Sequence, residues 1–341
     1  MGVGIGKKRV NPGAQAERVL IIKLSALGDF FLALGAMKAV REHHRSAQIT
    51  LLTTPPYQDF AKITPYIDVV ETDGRPENFS LTHKLIQRIR RAKYDIIYDF
   101  QTSERTANYF KLLNLSSFKT PLWSGHAKHS AFEHNNPNRA HMHTIDRLGE
   151  QLSYAGLGPK GGYTAKTVPM PDLSWVRRVL KNPPRLQPQY YDITPPYALI
   201  TAGASAHRQA KIWPIEHYIE IIKRISEAGI TPVLIGGKAE SKMAAQIQKS
   251  DPHIINLVNR TDFTQIIALA EGAEFVLGND TGPTHIATLA GAPGVVLFAT
   301  QESQPSQAAP RGPNPVIIVH SDRLDEVYPG DVWQAIQSLK A

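Results

Sequence analysis

The sequence predicts an α/β protein made of two doubly wound domains in tandem, and three observations carry that expectation. Short apolar runs of strand length alternate with amphipathic stretches of helix length along most of the chain, the pattern of parallel sheets built from βαβ units. The alternation is interrupted once, by a proline-rich stretch, and then restarts. The 341 residues are also the length of two domains at roughly 100–200 residues each.

The first strand is Arg18–Ser25, with a continuous apolar centre. A helical stretch follows from about Asp29 to His44, carrying Phe31, Leu34, Ala39 and Val40 on one side. Strands are expected at Ile49–Thr53, Ile67–Glu71 and Tyr94–Phe100, with helices between, which completes a domain over 18–165. The stretch 166–196 holds Pro169, Pro171, Pro183, Pro184, Pro188, Pro195 and Pro196 and reads as a linker with one short helical piece. The second domain, 197–325, opens with a strand at Tyr197–Thr201 and a helix over Pro214–Ala228. The strand Thr231–Ile235 ends in Gly236-Gly237, and a helix begins near Ala239. A short strand at Ile254–Leu257 and a helix from Asp262 to Glu271 come next. The strand Phe275–Leu277, a helix from Pro283, and the strands Val295–Phe298 and Val316–Val319 close the pattern. Residues 326–341 end the chain in a helix with Val332, Ile336 and Leu339 inward. Open parallel sheets take ligands beyond the carboxyl ends of their strands, so two such domains are expected to point loops into a cleft between them.

Composition excludes several classes. Apolar residues make up 42% and charged residues 20%, ordinary for a globular chain with a sizeable core. Cysteine is absent, which removes disulfides, thiolate metal sites and a cysteine nucleophile. No run reaches the ~18–20 apolar residues of a membrane span. Residues 1–17 are glycine-rich and basic without the apolar core of a signal peptide, and read as a flexible tail of a cytoplasmic protein. Lys and Arg number 38 against 30 Asp and Glu, a net charge of +8 that suits an anionic partner. There is no zinc-finger spacing, RNA-binding aromatic signature or long Lys/Arg run, so nucleic acid is not expected as a partner.

Three loops at predicted strand ends can carry chemistry. The first is Ser25-Ala26-Leu27-Gly28-Asp29. Gly28 permits close backbone approach, and Asp29 sits at the mouth of a helix, where it reads either as an N-cap or as a general base. The loop lacks the G-x-G-x-x-G fingerprint of dinucleotide sites. The second loop is Asn279-Asp280-Thr281-Gly282-Pro283-Thr284-His285. Pro283 suits a first helical turn, Thr281 or Gly282 can cap it, and the free amides form an anion site fit for a diphosphate. Asp280 can accept from sugar hydroxyls and His285 lies by the same anion, while the structural alternative makes them a cap and a filler of a polar gap. The third loop runs from Thr201 through Ser205, His207 and Arg208 to Lys211, a point charge for phosphate or part of a solvated basic loop. Glu240, after Gly236-Gly237, can hold a ribose diol or serve only as a dipole partner. Asp99 and Gln101 end a strand and face an acceptor or cap an edge. Histidines 126, 129, 134, 141 and 143 match no metal-ligand spacing and read as a mobile loop over the cleft.

In this order and spacing the motifs resemble the heptosyltransferases of glycosyltransferase family 9, over nearly the whole chain from Arg18. The carriers are Lys23-Leu-Ser-Ala-Leu-Gly-Asp29, Tyr94-Asp-Ile-Ile-Tyr-Asp-Phe-Gln101, Lys211-Ile-Trp-Pro214, Gly236-Gly-Lys-Ala-Glu240, Asn259-Arg-Thr-Asp-Phe263 and Asp280-Thr-Gly-Pro-Thr-His285. The resemblance implies the GT-B fold of two Rossmann-like domains and an inverting transfer of heptose from an ADP-sugar to the lipopolysaccharide inner core, with no cofactor and no essential metal. By the same matching, Asp29 is the general base, and Lys211 with the amides of Thr281 and Gly282 holds the diphosphate. Asp280 binds the sugar, His285 supports the phosphate end, Glu240 takes the ribose and the Thr261 backbone meets the adenine. Ser205 approximates a hydroxyl residue of the phosphate loop. Ser25, Gly28, Asp99 and Gln101 are the acceptor-side candidates.

The implied partners are a nucleotide sugar and an anionic lipid-linked saccharide, met by a cytoplasmic protein peripheral to the inner membrane. The basic surplus fits such a surface. Two departures stand out: Ala299-Thr300-Gln301 where the family usually has Gly-Pro-Thr, and Arg311-Gly312-Pro313 for a commoner Tyr-Gly-Pro. They leave another nucleotide sugar as an alternative donor. A nucleotide-sugar epimerase and a non-catalytic nucleotide-sugar-binding protein are the competing readings on the same fold.

Overall fold

The computed structural model describes residues 16–115, 120–203 and 209–339. Residues 1–15, 116–119, 204–208 (Ser205 among them) and 340–341 lie outside that description.

The first half contains β1 (Arg18–Ile22), α1 (Leu27–Leu32), α2 (Leu34–His43), β2 (Gln48–Leu52), α3 (Gln58–Ile63) and β3 (Val69–Glu71). It continues with α4 (Phe79–Ala92), β4 (Ile96–Asp99), α5 (Glu104–Asn114), β5 (Leu122–Gly125), β6 (Phe132–Glu133) and α6 (Thr144–Tyr154). These strands form one sheet in the order β3-β2-β1-β4-β5-β6. After α7 (Trp175–Val179) come β7 (Tyr197–Thr201), α8 (Ile215–Glu227), β8 (Thr231–Leu234), α9 (Ser241–Gln248), β9 (Ile255–Asn256) and α10 (Phe263–Ala270). Then follow β10 (Phe275–Asn279), α11 (Gly282–Leu289), β11 (Gly294–Ala299), α12 (Pro305–Ala308), β12 (Val316–Ser321) and α13 (Pro329–Ser338). The second sheet runs β12-β11-β10-β7-β8-β9. Every strand pairing among the described residues is parallel.

Central strands buried on both faces explain the continuous apolar runs: Val19–Ile22, Tyr197–Ile200 and Val295–Phe298 are wholly buried. Around β7 the core gathers Trp213, Tyr218, Ile221, Ile222 and Ile225 from α8 and its approach, with Val332 and Ile336 from α13. In each sheet the first strand in sequence lies between its successors, so connections leave to both sides. In open α/β sheets the ligand position falls at such a reversal, which here lies between β1 and β4 and between β7 and β10.

The chain divides into two compact units. One holds the segment ending at Ser25 together with Ala33–Ala140 and Ile145–Met170; the other holds Ala26–Leu32, His141–Thr144 and the chain from Pro171 onward. This division explains a departure from expectation. The helix expected without interruption over 29–44 breaks at Ala33, because its two halves serve different cores. Phe31 of α1 meets Phe263 of α10 edge-on at 5.5 Å, whereas Leu34, Met37 and Val40 of α2 bury in the first unit. The proline-rich stretch also packs: Leu173, Trp175, Val176 and Leu186 are buried, and the turn Pro184–Leu186 lies against α10.

Candidate active site

The loop after β10 is held by a dense polar network. Asn279 is buried; its Oδ1 accepts from Tyr218 Oη at 2.9 Å and its Nδ2 donates to Gly203 O at 3.2 Å, which ties the end of β10 to the end of β7. Thr284 Oγ1 donates to Asn279 O at 2.8 Å and lies 2.6 Å from Thr201 Oγ1. Thr281 is the N-cap of α11 in extended conformation, with Pro283 in the first turn as the sequence suggested. Its hydroxyl makes no capping bond and instead lies 3.2 Å from Thr284 Oγ1, so the cap is made by backbone geometry.

Asp280 follows and is the charged hub. Its side chain is 8% exposed, as is that of Lys211, whose Nζ forms an ion pair with Asp280 Oδ2. His285 Nε2 lies 3.1 Å from Oδ1, and Ser303 Oγ donates to Oδ2 at 2.7 Å. Burial would raise this carboxyl, but the hydrogen bond and charge of His285 and the Lys211 ammonium outweigh it. They hold Asp280 well below the usual carboxylate range. Lys211 is thus not the solvated cation of a basic loop: it is buried and paired. His285 Nδ1 is buried without a hydrogen-bond partner among the described residues.

The Asp29 segment belongs to this same unit. Helix α1 packs on α11, and the approach is tight: a Cβ on Gly28 would stand 2.8 Å from His285 Cδ2, and one on Gly282 would stand 2.4 Å from Leu27 Cγ. Glycine at both positions is therefore a packing requirement. Because α1 starts at Leu27, Asp29 is the third helical residue and not the N-cap, which corrects the capping alternative. It is half-buried, and Thr144 Oγ1 donates to its Oδ1 at 3.3 Å.

The other candidates separate into two groups. At the rim of the second sheet, Glu240 Oε2 accepts from Gly237 N at 2.7 Å, reaching back to the start of the turn after β8. Asn259 adopts a left-handed φ of 58°, and Thr261 Oγ1 beside it is buried with no partner among the described residues. In the first unit, Asp99 is 1% exposed, and its carboxylate is turned to the backbone of its own loop. Its Oδ1 accepts from Gln101 N at 3.1 Å and Thr102 N at 2.9 Å, which stabilises a left-handed Thr102. Burial pushes the Asp99 carboxyl up to about 6, against the opposing pull of those amides, Thr106 and Lys23. Gln101 Oε1 is committed to the backbone, accepting from Leu24 N at 2.9 Å and Ser25 N at 3.0 Å, so its carbonyl is a brace for the loop after β1. Ser25 Oγ is bonded by Arg75.

The histidine-rich segment is also corrected: it is no simple loop, since Phe132–Glu133 forms an edge strand of the first sheet. His134 is buried against Glu150 and accepts from Arg139 Nε at 3.2 Å, and His143 Nε2 bonds Ala309 O at 2.9 Å. Among the described residues no cluster of three His, Asp or Glu side chains suits a metal ion, and no helix is long and apolar enough to cross a membrane. Sequence reasoning missed Ser303 and the Asp280–Lys211 pairing; the signal for the pair was an acid and a base at the ends of neighbouring strand loops.

Two parallel six-stranded sheets, each with a strand-order reversal beside its first strand, define a doubly wound α/β protein. Comparison with known proteins makes this specific. The family model "Glycosyltransferase family 9 (heptosyltransferase)" matches residues 82–326, more than half of the chain, and the chain belongs to that family. It is a glycosyltransferase. The lipopolysaccharide core heptosyltransferase OpsX of Haemophilus influenzae is 22% identical over 290 residues, covering 83% of this chain and 79% of the relative. A family 9 glycosyl transferase from Veillonella parvula superposes with a TM-score of 0.73 at 16% identity, covering 95% of this chain and 97% of the other. The Escherichia coli heptosyltransferase WaaC, solved with ADP-2-deoxy-2-fluoro heptose, gives 0.71 at 18% identity, covering 94% and 99%. The shared architecture is the GT-B fold.

Proposed function

We propose that the chain transfers heptose from ADP-heptose to the inner core of lipopolysaccharide with inversion, using Asp29 as general base. The observation that carries this reading is the packing of α1 on α11. It puts the half-buried Asp29 carboxylate in the same unit as the Asp280–Lys211–His285 cluster and the α11 N-terminus. In the proposed reaction Asp29 takes the proton of an acceptor hydroxyl as its oxygen bonds to the anomeric carbon. The bond from that carbon to the diphosphate oxygen breaks on the opposite face, and ADP leaves. Lys211 and the free amides of Thr281 and Gly282 receive the charge that develops on the diphosphate, so no metal or other cofactor is required. Glu240 takes the ribose and Thr261 the base, while Ser205 adds a hydroxyl to the phosphate loop. The relative solved with an ADP-heptose analogue supports the donor. The surplus of 8 positive charges supports a site of action at an anionic membrane face in the cytoplasm.

Release of ADP in the presence of ADP-heptose and an inner-core acceptor is the direct measurement. Asp29→Asn is expected to lower turnover by about 10²–10⁴ while ADP still stabilises the protein against heat. Full turnover in that variant would remove Asp29 from the mechanism. A second donor, another nucleotide sugar, is favoured by Ala299-Thr300-Gln301 in place of the family's usual Gly-Pro-Thr, and a panel of nucleotide sugars decides between them.

A further inference from the structure

The turn after β11 holds a residue without an assigned role. Glu302 N and Ser303 N both bond Ala299 O at 3.0 Å, and Gln304 Nε2 bonds Thr300 O at 2.7 Å, so the turn is shaped by its own backbone. It carries Ser303, partly exposed, with its hydroxyl donating to the buried Asp280 Oδ2 at 2.7 Å. Asp280 itself is largely used up: Oδ1 faces His285, and Oδ2 serves both Lys211 and Ser303. Its side chain is 8% exposed, so little of it is open to a ligand.

Hydrogen-bond direction then decides what Ser303 can offer. A serine hydroxyl has one donor and two acceptor lone pairs. The ionised carboxylate of Asp280 accepts only, so it fixes the proton of Ser303 inward. What remains toward the site is acceptor capacity, polarised by the buried anion behind it. Such an oxygen accepts from a sugar hydroxyl and repels a phosphate oxygen.

We infer that Ser303 is a specificity-determining residue of the donor site: it accepts a hydrogen bond from a hydroxyl of the transferred sugar and couples that sugar to the Asp280 hub. The inference rests on the nucleotide-sugar reading above and deepens it, because it assigns the sugar end of the donor to the turn where this chain departs from its family. The same turn thereby becomes the place where donor choice is set.

The test compares a nucleotide sugar with its bare nucleotide, so that the sugar's share of binding is isolated. Wild type, Ser303→Ala and Ser303→Thr are titrated by calorimetry with three pairs: ADP-heptose and ADP, UDP-glucose and UDP, GDP-mannose and GDP. For whichever pair the wild type binds, Ser303→Ala is expected to weaken the nucleotide sugar about 3–10-fold and leave the bare diphosphate within about twofold. Ser303→Thr, which keeps the hydroxyl, is expected to recover most of the loss, and all three proteins should melt together. Equal weakening of sugar and bare nucleotide would make Ser303 a merely structural support of Asp280, and no weakening of either would remove it from the site; both results overturn the inference. Binding of the UDP or GDP pair in place of the ADP pair overturns the ADP donor while leaving the Ser303 comparison standing on that pair. Binding of none of the pairs overturns both.

Discussion

Two carboxylates occupy equivalent places in the two units and have opposite fates. Asp99 ends β4, beside the first strand of its sheet; Asp280 directly follows β10, beside the first strand of the other. Both are buried, yet Asp99 is pushed up to about 6 while Asp280 is held well below the ordinary range. The difference is the company each keeps. Asp99 is met mainly by backbone amides and Thr106, with the Lys23 charge the least of the opposing causes. Asp280 has an ammonium and an imidazole against its two oxygens. Burial alone disfavours a charge, and at Asp280 the hydrogen-bonded imidazole and the close ammonium reverse that. One carboxylate therefore shapes a loop, and the other keeps a permanent charge at the site.

The largest test of this contrast removes the counter-ion. Lys211→Met leaves Asp280 buried without its ammonium, and breaking one side of a buried pair costs about 3–5 kcal/mol. Urea denaturation should show a loss of that order, with ADP binding lost as well. Adding Asp280→Asn to the same chain should recover most of the stability, since no buried charge then remains. A single variant within about 1 kcal/mol of wild type would mean that Asp280 does not depend on Lys211.

A smaller effect, of opposite sign, is expected at Asp99. An acid whose pKa is raised by folding binds its proton more tightly in the native state, so its contribution to stability falls as pH rises from its ordinary value of 3.8 to about 6. Asp280 runs the other way: its stabilisation is present above the ordinary carboxylate value and is lost only in strong acid. Asp99→Asn keeps an oxygen for Gln101 N and Thr102 N and removes the titration. Its stability relative to wild type should therefore improve by about 2 kcal/mol between about pH 4 and pH 7, at 1.36 kcal/mol per unit. A difference that does not change with pH would show that Asp99 ionises at its ordinary value.

What could be read in advance follows the same division between local and distant causes. Strands such as Tyr197–Thr201 were legible because a strand buried on both faces must be apolar throughout. The helix start at Phe263 was legible because Asp262 and Gln265 form a capping box within four residues. The strand Phe132–Glu133 was not, since two residues among histidines and charges carry no periodicity. Nor was the break at Ala33 legible: both halves of that stretch are apolar on one side, and nothing local says that the sides bury in different units. The site's loops were readable from small and polar residues at strand ends. The partners were not, because Lys211 and Asp280 stand 69 positions apart and Ser303 a further 23.

The smallest expected effect concerns Gln101, and it sharpens what separates the two centres. Gln101 Oε1 accepts from Leu24 N and Ser25 N, the last residues of the first unit before the Asp29 segment. Gln101→Ala leaves two amides without their acceptor. The Leu24 amide belongs to a residue only 1% exposed, whereas Ser25 is partly open to water. A buried unsatisfied donor costs about 1–3 kcal/mol, and with one of the two reachable by solvent a loss near 1–2 kcal/mol is expected in urea denaturation. Gln101→Glu keeps an acceptor oxygen and should lose less than half as much. ADP binding should be unchanged in both, because the hub that receives it in the proposed mechanism is built wholly from residues of the second unit. A Gln101 variant that kept full stability would show that the loop after β1 holds itself. One that weakened ADP as strongly as Lys211→Met would erase the distinction between a carboxylate neighbourhood that shapes the chain and one that meets the ligand.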